Sequence, residues 1–209
     1  MKNKIHQYIT TVLALCFMSF SLSAQTVLDE CVAKMTDSCV EADYNYSMDD
    51  GRFPVKGSGH ITMQGNGYAM TGNGLEIYCN GTTKWTVDRE ALEVIIENAD
   101  SLDLGTNPFL LLRQYKTLFR CVSTEYLDFE SKSCIGFTMA PISKSEISGV
   151  ELYFTSDGKS FAGLRADMKK GTVITVTIPS FKLLPVSASK SFSFDISSLS
   201  EDFIITDLR

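Results

Sequence analysis

The sequence has 209 residues, with 19 basic and 25 acidic side chains and a net charge of −6 at pH 7. A chain with an acidic excess is poorly suited to phosphate backbones, so nucleic acids and anionic membrane surfaces are not expected partners. Its length corresponds to one ordinary domain with one substantial core or cavity.

The N-terminus has the pattern of a secretory signal peptide. Two lysines precede a mostly apolar stretch over 8–22, and Ala24 supplies the small residue that a signal peptidase needs. Serines interrupt this stretch, and it is shorter than the roughly 20 residues that span a bilayer, so cleavage before Gln25 is favoured over a permanent anchor. The predicted organisation is a signal peptide over 1–24 and one domain over 25–209, with a charge of 17 − 25 = −8.

Five cysteines remain after cleavage, and an odd number cannot all pair within one molecule. Two disulfides are hypotheses, Cys31 with Cys39 around the end of the first helix and Cys121 with Cys134 across a hairpin. Buried free thiols are the alternative. Cys79 lies in an apolar strand and is interpreted as core. Because the cysteines and histidines form no cluster, no metal site is expected.

The mature chain begins with a predicted amphipathic helix, because Leu28, Val32 and Met35 recur at helical spacing with charged residues opposite. Period-two segments and turn pairs follow. A second short helix is predicted from Pro108 through Gln114, with Asn107 as a possible cap. The predicted strands run over 42–46, 53–63, 68–71, 75–79, 84–88, 92–96, 117–122, 126–129, 135–139, 149–155, 160–167 and 173–178.

So many consecutive strands with two short helices predict a mainly β (α+β) fold built on a strongly curved antiparallel sheet. The strands over 92–96 and 173–178 are apolar at most positions. A strand exposed on one face would alternate, so we expect something to cover or fill the sheet.

Catalytic chemistry is not indicated. His60 is the one histidine left after cleavage, so any nucleophile relay would depend on it, and no Gly-x-Ser-x-Gly elbow occurs. Surface or structural roles are expected for His60. We predict a protein that is not an enzyme and has no cofactor.

Three motifs in order resemble one protein family. Asn80-Gly81 begins a segment that continues through Trp85 to Asp88, Asn107-Pro108 precedes an apolar run over 109–112, and the tail has Phe-Ser-Phe-Asp over 192–195 followed by residues 203–209. Their order and spacing are similar to those of the LolA family of periplasmic outer-membrane lipoprotein carriers. The tail is similar to the closing strand of that family.

The resemblance implies an unclosed half-barrel, lidded by short helices, with a hydrophobic cavity between them. It implies a monomeric periplasmic chaperone that takes the acyl chains of lipoproteins from an inner-membrane lipoprotein-releasing ABC transporter complex. The lipoproteins would pass to the outer membrane, where an acceptor could receive them. The alternative is a non-catalytic lipid- or protein-binding sensor module on the same fold. The residues expected to bind lipid are Leu28, Val32, Met35, Tyr68, Met70, Trp85, Phe109, Leu110 and Leu112.

Each of these side chains could equally be ordinary core. Trp85 on a strand is more often core than ligand contact, and Leu110 with Leu112 could pin the helix to the sheet. The family commonly has an Arg-Pro pair whose arginine holds the lid closed, but this chain has Gln64-Gly65 there. The resemblance therefore leaves the closing mechanism open.

Overall fold

The computed structural model describes residues 24–99 and 109–209. The predicted signal peptide up to residue 23, the Asn107 cap and the Pro108 helix start lie outside the described residues.

Two α-helices and twelve β-strands form the described chain. The helices are α1 over residues 24–36 and α2 over Phe109–Leu118. The strands are β1 (Cys39–Asp49), β2 (Val55–Gln64), β3 (Gly67–Gly72), β4 (Leu75–Cys79), β5 (Thr83–Asp88), β6 (Glu93–Asn98), β7 (Phe119–Phe129), β8 (Lys132–Pro141), β9 (Ile147–Thr155), β10 (Phe161–Met168), β11 (Val173–Leu184) and β12 (Ile204–Asp207).

All twelve strands belong to one sheet, in the order β12-β6-β5-β4-β3-β2-β1-β11-β10-β9-β8-β7. Its two edge strands, β12 and β7, do not pair with each other, so the sheet is an unclosed half-barrel. The predicted fold class is confirmed: a curved, largely antiparallel sheet with two short helices. One pairing differs, because β12 runs parallel to β6.

Most local predictions hold, but several elements are longer than predicted: β1 spans Cys39–Asp49 and not 42–46, and β11 ends at Leu184 and not at Ile178. The separate strands predicted over 117–122 and 126–129 are one strand, β7, with a register shift between Cys121 and Ser123. Helix α2 continues to Leu118, four residues beyond the predicted end. The Asn80-Gly81 turn is confirmed: Gly81 has a φ of +96°, and Asn80 Oδ1 accepts hydrogen bonds from the backbone N–H groups of Thr82 and Thr83 at 3.0 and 2.9 Å.

The main core lies on one face of the sheet, which we call the inner face. Alternate residues of the strands point to it, such as Val40 and Ala42 on β1 and Phe137 on β8. Both helices pack against the same face: Leu28 of α1 and Phe109 of α2 are fully buried in this core. The helices therefore cover the concave side, as a lid would.

The opposite, outer face is covered by the segment over 185–203, which we call the C-terminal crossover. Its backbone at Ser187 contacts β2, Phe192 lies over Gly67 of β3, and Phe194 contacts Tyr78 of β4 with ring centroids 5.1 Å apart. After the C-terminal crossover, β12 pairs with β6 in the parallel direction. Residues 192–195 precede a short 3-10 turn and form no strand, so the closing strand is β12 alone.

Both proposed disulfides are wrong. All five cysteines of the described chain are free thiols. Cys121 lies opposite Met139 and Cys134 opposite Leu127, so the two cysteines of that hairpin are far out of register. Cys31 contributes to the inner core, whereas Cys39 lies under the C-terminal crossover, with Lys190 Nζ 3.4 Å from its sulfur. Cys79 is buried in the core, as predicted.

Candidate lipid site beneath the helices

The inner face and the two helices form one continuous apolar contact. Helix α1 buries Leu28, Val32 and Met35 at the spacing of a single helix face, and α2 buries Phe109 and Leu112. Phe109 meets Phe161 of β10 edge-on, with ring centroids 5.7 Å apart. The helices thus contact the sheet through side chains that an acyl chain could replace.

One acidic residue joins the two helices. Asp29 on α1 accepts hydrogen bonds from the Tyr115 hydroxyl of α2 and, at 2.8 Å, from the Gln25 side chain. Lys116 Nζ lies 2.8 Å from the other carboxylate oxygen. Burial raises the pKa of Asp29, but the hydrogen bonds from Lys116, Tyr115 and Gln25 outweigh it and hold the pKa below its ordinary value. Burial and the bond to Asp29 raise the pKa of Tyr115.

A cavity of about 310 Å³ lies between α2 and the inner face, at the end of the sheet where β3 begins and β4 ends. This volume is at the lower limit of cavities that hold small ligands, about 300–1,000 Å³. It is lined by Asn66, Tyr68, Cys79, Gly81, Ala99, Leu110, Arg113 and Gln114.

Arg113 is the charged side chain of this lining. Its Nε is buried and has no hydrogen-bond partner, and none of the ion pairs within the described chain includes it. Burial lowers the pKa of the guanidinium. An arginine nevertheless stays protonated in proteins, so a positive charge borders the cavity.

The structure brings together eight of the nine residues predicted to bind lipid. Seven are buried in the inner core, and Leu110 is partly buried against it. Two of the eight, Tyr68 and Leu110, also line the cavity. The other six are Leu28, Val32, Met35, Met70, Phe109 and Leu112.

Trp85 lies apart from them. It pairs with Tyr78 on the outer face and forms a separate core cluster with Val87, Val94 and Ile96. Phe194 and Phe203 of the C-terminal crossover pack on this cluster. On β5 and β6 the apolar side of the sheet is therefore the outer one, which explains why the strand over 92–96 does not alternate like an exposed strand.

Gln64 has a structural role of its own. Its side-chain amide donates to the carbonyl of Ser187 at 2.9 Å and accepts from the N–H of Ser187 at 2.9 Å. Gln64 thus fixes the C-terminal crossover to β2. It does not hold the helices.

His60 lies on the outer face of β2. Its Nδ1 is 2.8 Å from Asp43 Oδ1, and Thr62 Oγ1 is 3.4 Å from its Nε2. The order Thr-His-Asp has the connectivity of a nucleophile relay, but the histidine and aspartate side chains are about half exposed, and the Thr62 contact is long. Within residues 24–99 and 109–209, no three His, Cys, Asp or Glu side chains gather as a metal site requires.

Sequence reasoning missed two parts of this site, the Asp29 contacts and Arg113. Both residues lie on amphipathic helices at positions that a single sequence presents as ordinary polar surface.

In the part of the chain that the structure describes, neither helix has the length and apolar character needed to cross a bilayer.

Comparison with known proteins gives matches in structure alone. No family model and no curated protein matches the sequence. An uncharacterized conserved protein from Thermus thermophilus is similar with a TM-score of 0.57 and 10% identity, covering 88% of this chain and 99% of that one. A crystal structure of MucB is similar with a TM-score of 0.52 and 12% identity, covering 84% of this chain and 64% of that one.

The similar structures also include the LolA superfamily protein NE2245 from Nitrosomonas europaea, with a TM-score of 0.46 and 11% identity, covering 82% of this chain and 97% of that one. At such identities the likeness concerns the fold. The unclosed sheet with two helices on its inner face is the architecture that the motif resemblance implied, so the class of this protein is an unclosed half-barrel lidded by two short helices.

Proposed function

We propose that this protein is a periplasmic carrier that binds the acyl chains of lipoproteins between its helices and its sheet and moves them from the inner to the outer membrane. The observation that supports it is the continuous apolar contact between α1, α2 and the inner face, beside a cavity on α2. Such a surface can exchange protein side chains for lipid without covalent chemistry.

The energetics suit exchange. Withdrawing Leu28, Val32 and Met35 from the inner face costs about 1.5–3 kcal/mol for each side chain. An acyl chain regains about 0.8 kcal/mol for each buried methylene, so one long chain offsets the displaced residues. The cavity at Leu110 gives the first methylenes a place to enter while the helices remain closed.

The proposed partners follow from this role. An inner-membrane lipoprotein-releasing ABC transporter complex would supply the acylated lipoproteins, and an acceptor at the outer membrane would receive them. A carrier of this kind needs no cofactor and no catalytic residue, and it works as a monomer.

The test uses protein purified from the envelope of cells that express the full sequence. We expect it to bind a fluorescent acyl probe and to retain lipoproteins that mass spectrometry identifies. Leu110→Glu, on the cavity wall, should abolish both, whereas Ile204→Glu, at an exposed position of β12, should change neither. Absence of both the probe and lipoproteins from the unaltered protein would refute the proposal.

A second candidate, a protein-binding sensor module, is supported by the free edge of the sheet. β7 is an edge strand: within the described chain its only strand partner is β8, and Val122 and Tyr126 of β7 are exposed. Such an edge can accept an added strand from a partner. A partner that is captured by the unaltered protein, and lost when Val122→Pro blocks the edge, would favour this function over carriage.

A further inference from the structure

Arg113 presents a charge to the cavity that the described chain does not neutralise. It lies on α2 between Leu110 and Gln114, which line the same cavity. Its Nε has neither a hydrogen-bond partner nor contact with solvent. The nearby cation Lys84 differs, because its Nζ lies 3.1 Å from Glu97.

Arg113 is half-buried, and its Nε is fully buried without a hydrogen-bond partner in the described chain. A partly buried guanidinium is stabilised by a carboxylate or phosphate, whose two oxygens match the guanidinium fork. Because no carboxylate of the described chain pairs with Arg113, a bound anion is the chemistry that fits. The cavity supplies the space for one.

The surroundings restrict what carries that anion. Leu110 and Tyr68 line the cavity beside Arg113, and Tyr68 also belongs to the inner core. A ligand with its charge at Arg113 therefore has apolar surface on its other side. This arrangement suits an amphiphile with one anionic end.

We propose that Arg113 binds the anionic head of a single-chain lipid, a long-chain carboxylate or an alkyl phosphate, while the chain enters the apolar space under α1 and α2. This inference rests on the acyl-binding function proposed above and adds a second class of ligand to it. The acyl esters and amides of a lipoprotein carry no anion at the head of the chain, so Arg113 would bind a free anionic lipid in the same apolar space that takes the acyl chains of lipoproteins.

The test compares the affinities of a charged ligand and its neutral counterpart for the protein expressed from the full sequence. Dodecanoate, ionised at pH 7, and its methyl ester each displace a fluorescent acyl probe. We expect the acid to bind about tenfold more tightly than the ester, the advantage of a charge-assisted hydrogen bond. Arg113→Met should remove this difference and leave the affinity for the ester unchanged, while Arg113→Lys should keep part of it.

Melting temperatures show whether the variant is folded. Arg113→Met should raise the melting temperature of the ligand-free protein, because it removes a half-buried charge that pairs with no carboxylate of the described chain, and should abolish the added stabilisation by dodecanoate. A purely structural arginine would give the opposite change in the ligand-free protein. Dodecyl phosphate should behave like dodecanoate.

The outcomes separate this inference from the proposed function. Equal affinity for acid and ester in the unaltered protein would overturn the anion site and leave acyl binding intact. Failure of both ligands to bind would overturn acyl binding as well. Competition by inorganic phosphate at the concentration of the lipid would identify a free oxyanion as the ligand and overturn the lipid assignment.

Discussion

The hydroxyl of Tyr115 on α2 donates a hydrogen bond to the carboxylate of Asp29 on α1. Together with the ion pair from Lys116, this bond joins the two helices that cover the inner face. Gln64, in contrast, fixes the C-terminal crossover to β2. Asp29 therefore joins α1 to α2 on the opposite side of the sheet from Gln64.

Asp29→Asn should loosen α1 and α2. The substitution removes the ion pair and weakens the hydrogen bonds, for a loss of about 1 kcal/mol. Hydrogen–deuterium exchange measured by mass spectrometry should become about fivefold faster in α1 and α2 and stay unchanged in β8 to β10. Tyr115→Phe, which removes one hydrogen bond and no charge, should give a smaller effect. Identical exchange in Asp29→Asn and the unaltered protein would show that the contact does not hold the helices.

The same carboxylate predicts a pH dependence. Its pKa in the folded protein lies below the ordinary value of 3.8, so the charged form is favoured by folding. The stabilisation is therefore complete above the pKa of the unfolded chain and is lost as the pH falls through the lower pKa of the folded protein. The protection factor of α1, which is the intrinsic exchange rate divided by the measured rate, should fall below about pH 4 and stay constant from pH 6 to 8. Asp29→Asn should remove this loss of protection in acid. If the loss is the same in the variant, other carboxylates cause it.

Two neighbouring leucines should respond differently to substitution. Leu112 is buried in the inner core, whereas Leu110 is partly buried and lines the cavity. Leu112→Ala should cost about 2–5 kcal/mol in urea unfolding. Leu110→Ala should cost less than half of that but weaken an acyl probe more strongly. Equal losses of stability at both positions would mean that Leu110 is ordinary core.

Helices, turns and strands that depend on neighbouring residues could be predicted from the sequence. The helix of Leu28, the Asn80-Gly81 turn and most strands follow from periodicity and turn chemistry within a few residues, and the structure has them. The orientation of a strand is not local. Trp85 alternates like any strand residue, and its outward direction follows from the crossover that packs on it.

The site was predicted in part for the same reason. Apolar residues with a regular period identify the core face of α1 and α2, and those residues meet in one cluster. Arg113 and Asp29 are polar residues on amphipathic helices, where a solvated position is the default. Their burial against a cavity or another helix depends on how α1, α2 and the sheet meet, which a single sequence does not encode locally.

Trp85 should report on the C-terminal crossover and not on cargo. It is the sole tryptophan of the chain and is 8% exposed beneath Phe194 and Phe203. Trp85→Ala should cost about 3–5 kcal/mol and leave probe affinity unchanged at temperatures where the protein is folded. Intrinsic fluorescence should stay constant on lipid binding. In a control protein with Leu110→Trp in a Trp85→Phe background, the tryptophan emission should shift on lipid binding. A shift of the emission of Trp85 in the unaltered protein would place the ligand on the outer face.

Gly59 should tolerate no side chain, for a steric reason. It lies opposite Tyr44 and Gly72 in the sheet, and a Cβ there would be 2.0 Å from the carbonyl oxygen of Thr71 and 2.5 Å from the Tyr44 hydroxyl oxygen. The backbone oxygen cannot move without breaking the β2–β3 ladder, so Gly59→Ala should cost about 3 kcal/mol in urea unfolding. Gly149→Ala is the matched control, because its nearest atom would be 3.9 Å away. Equal midpoints for the two variants would show that β2 and β3 can separate enough to admit a methyl group.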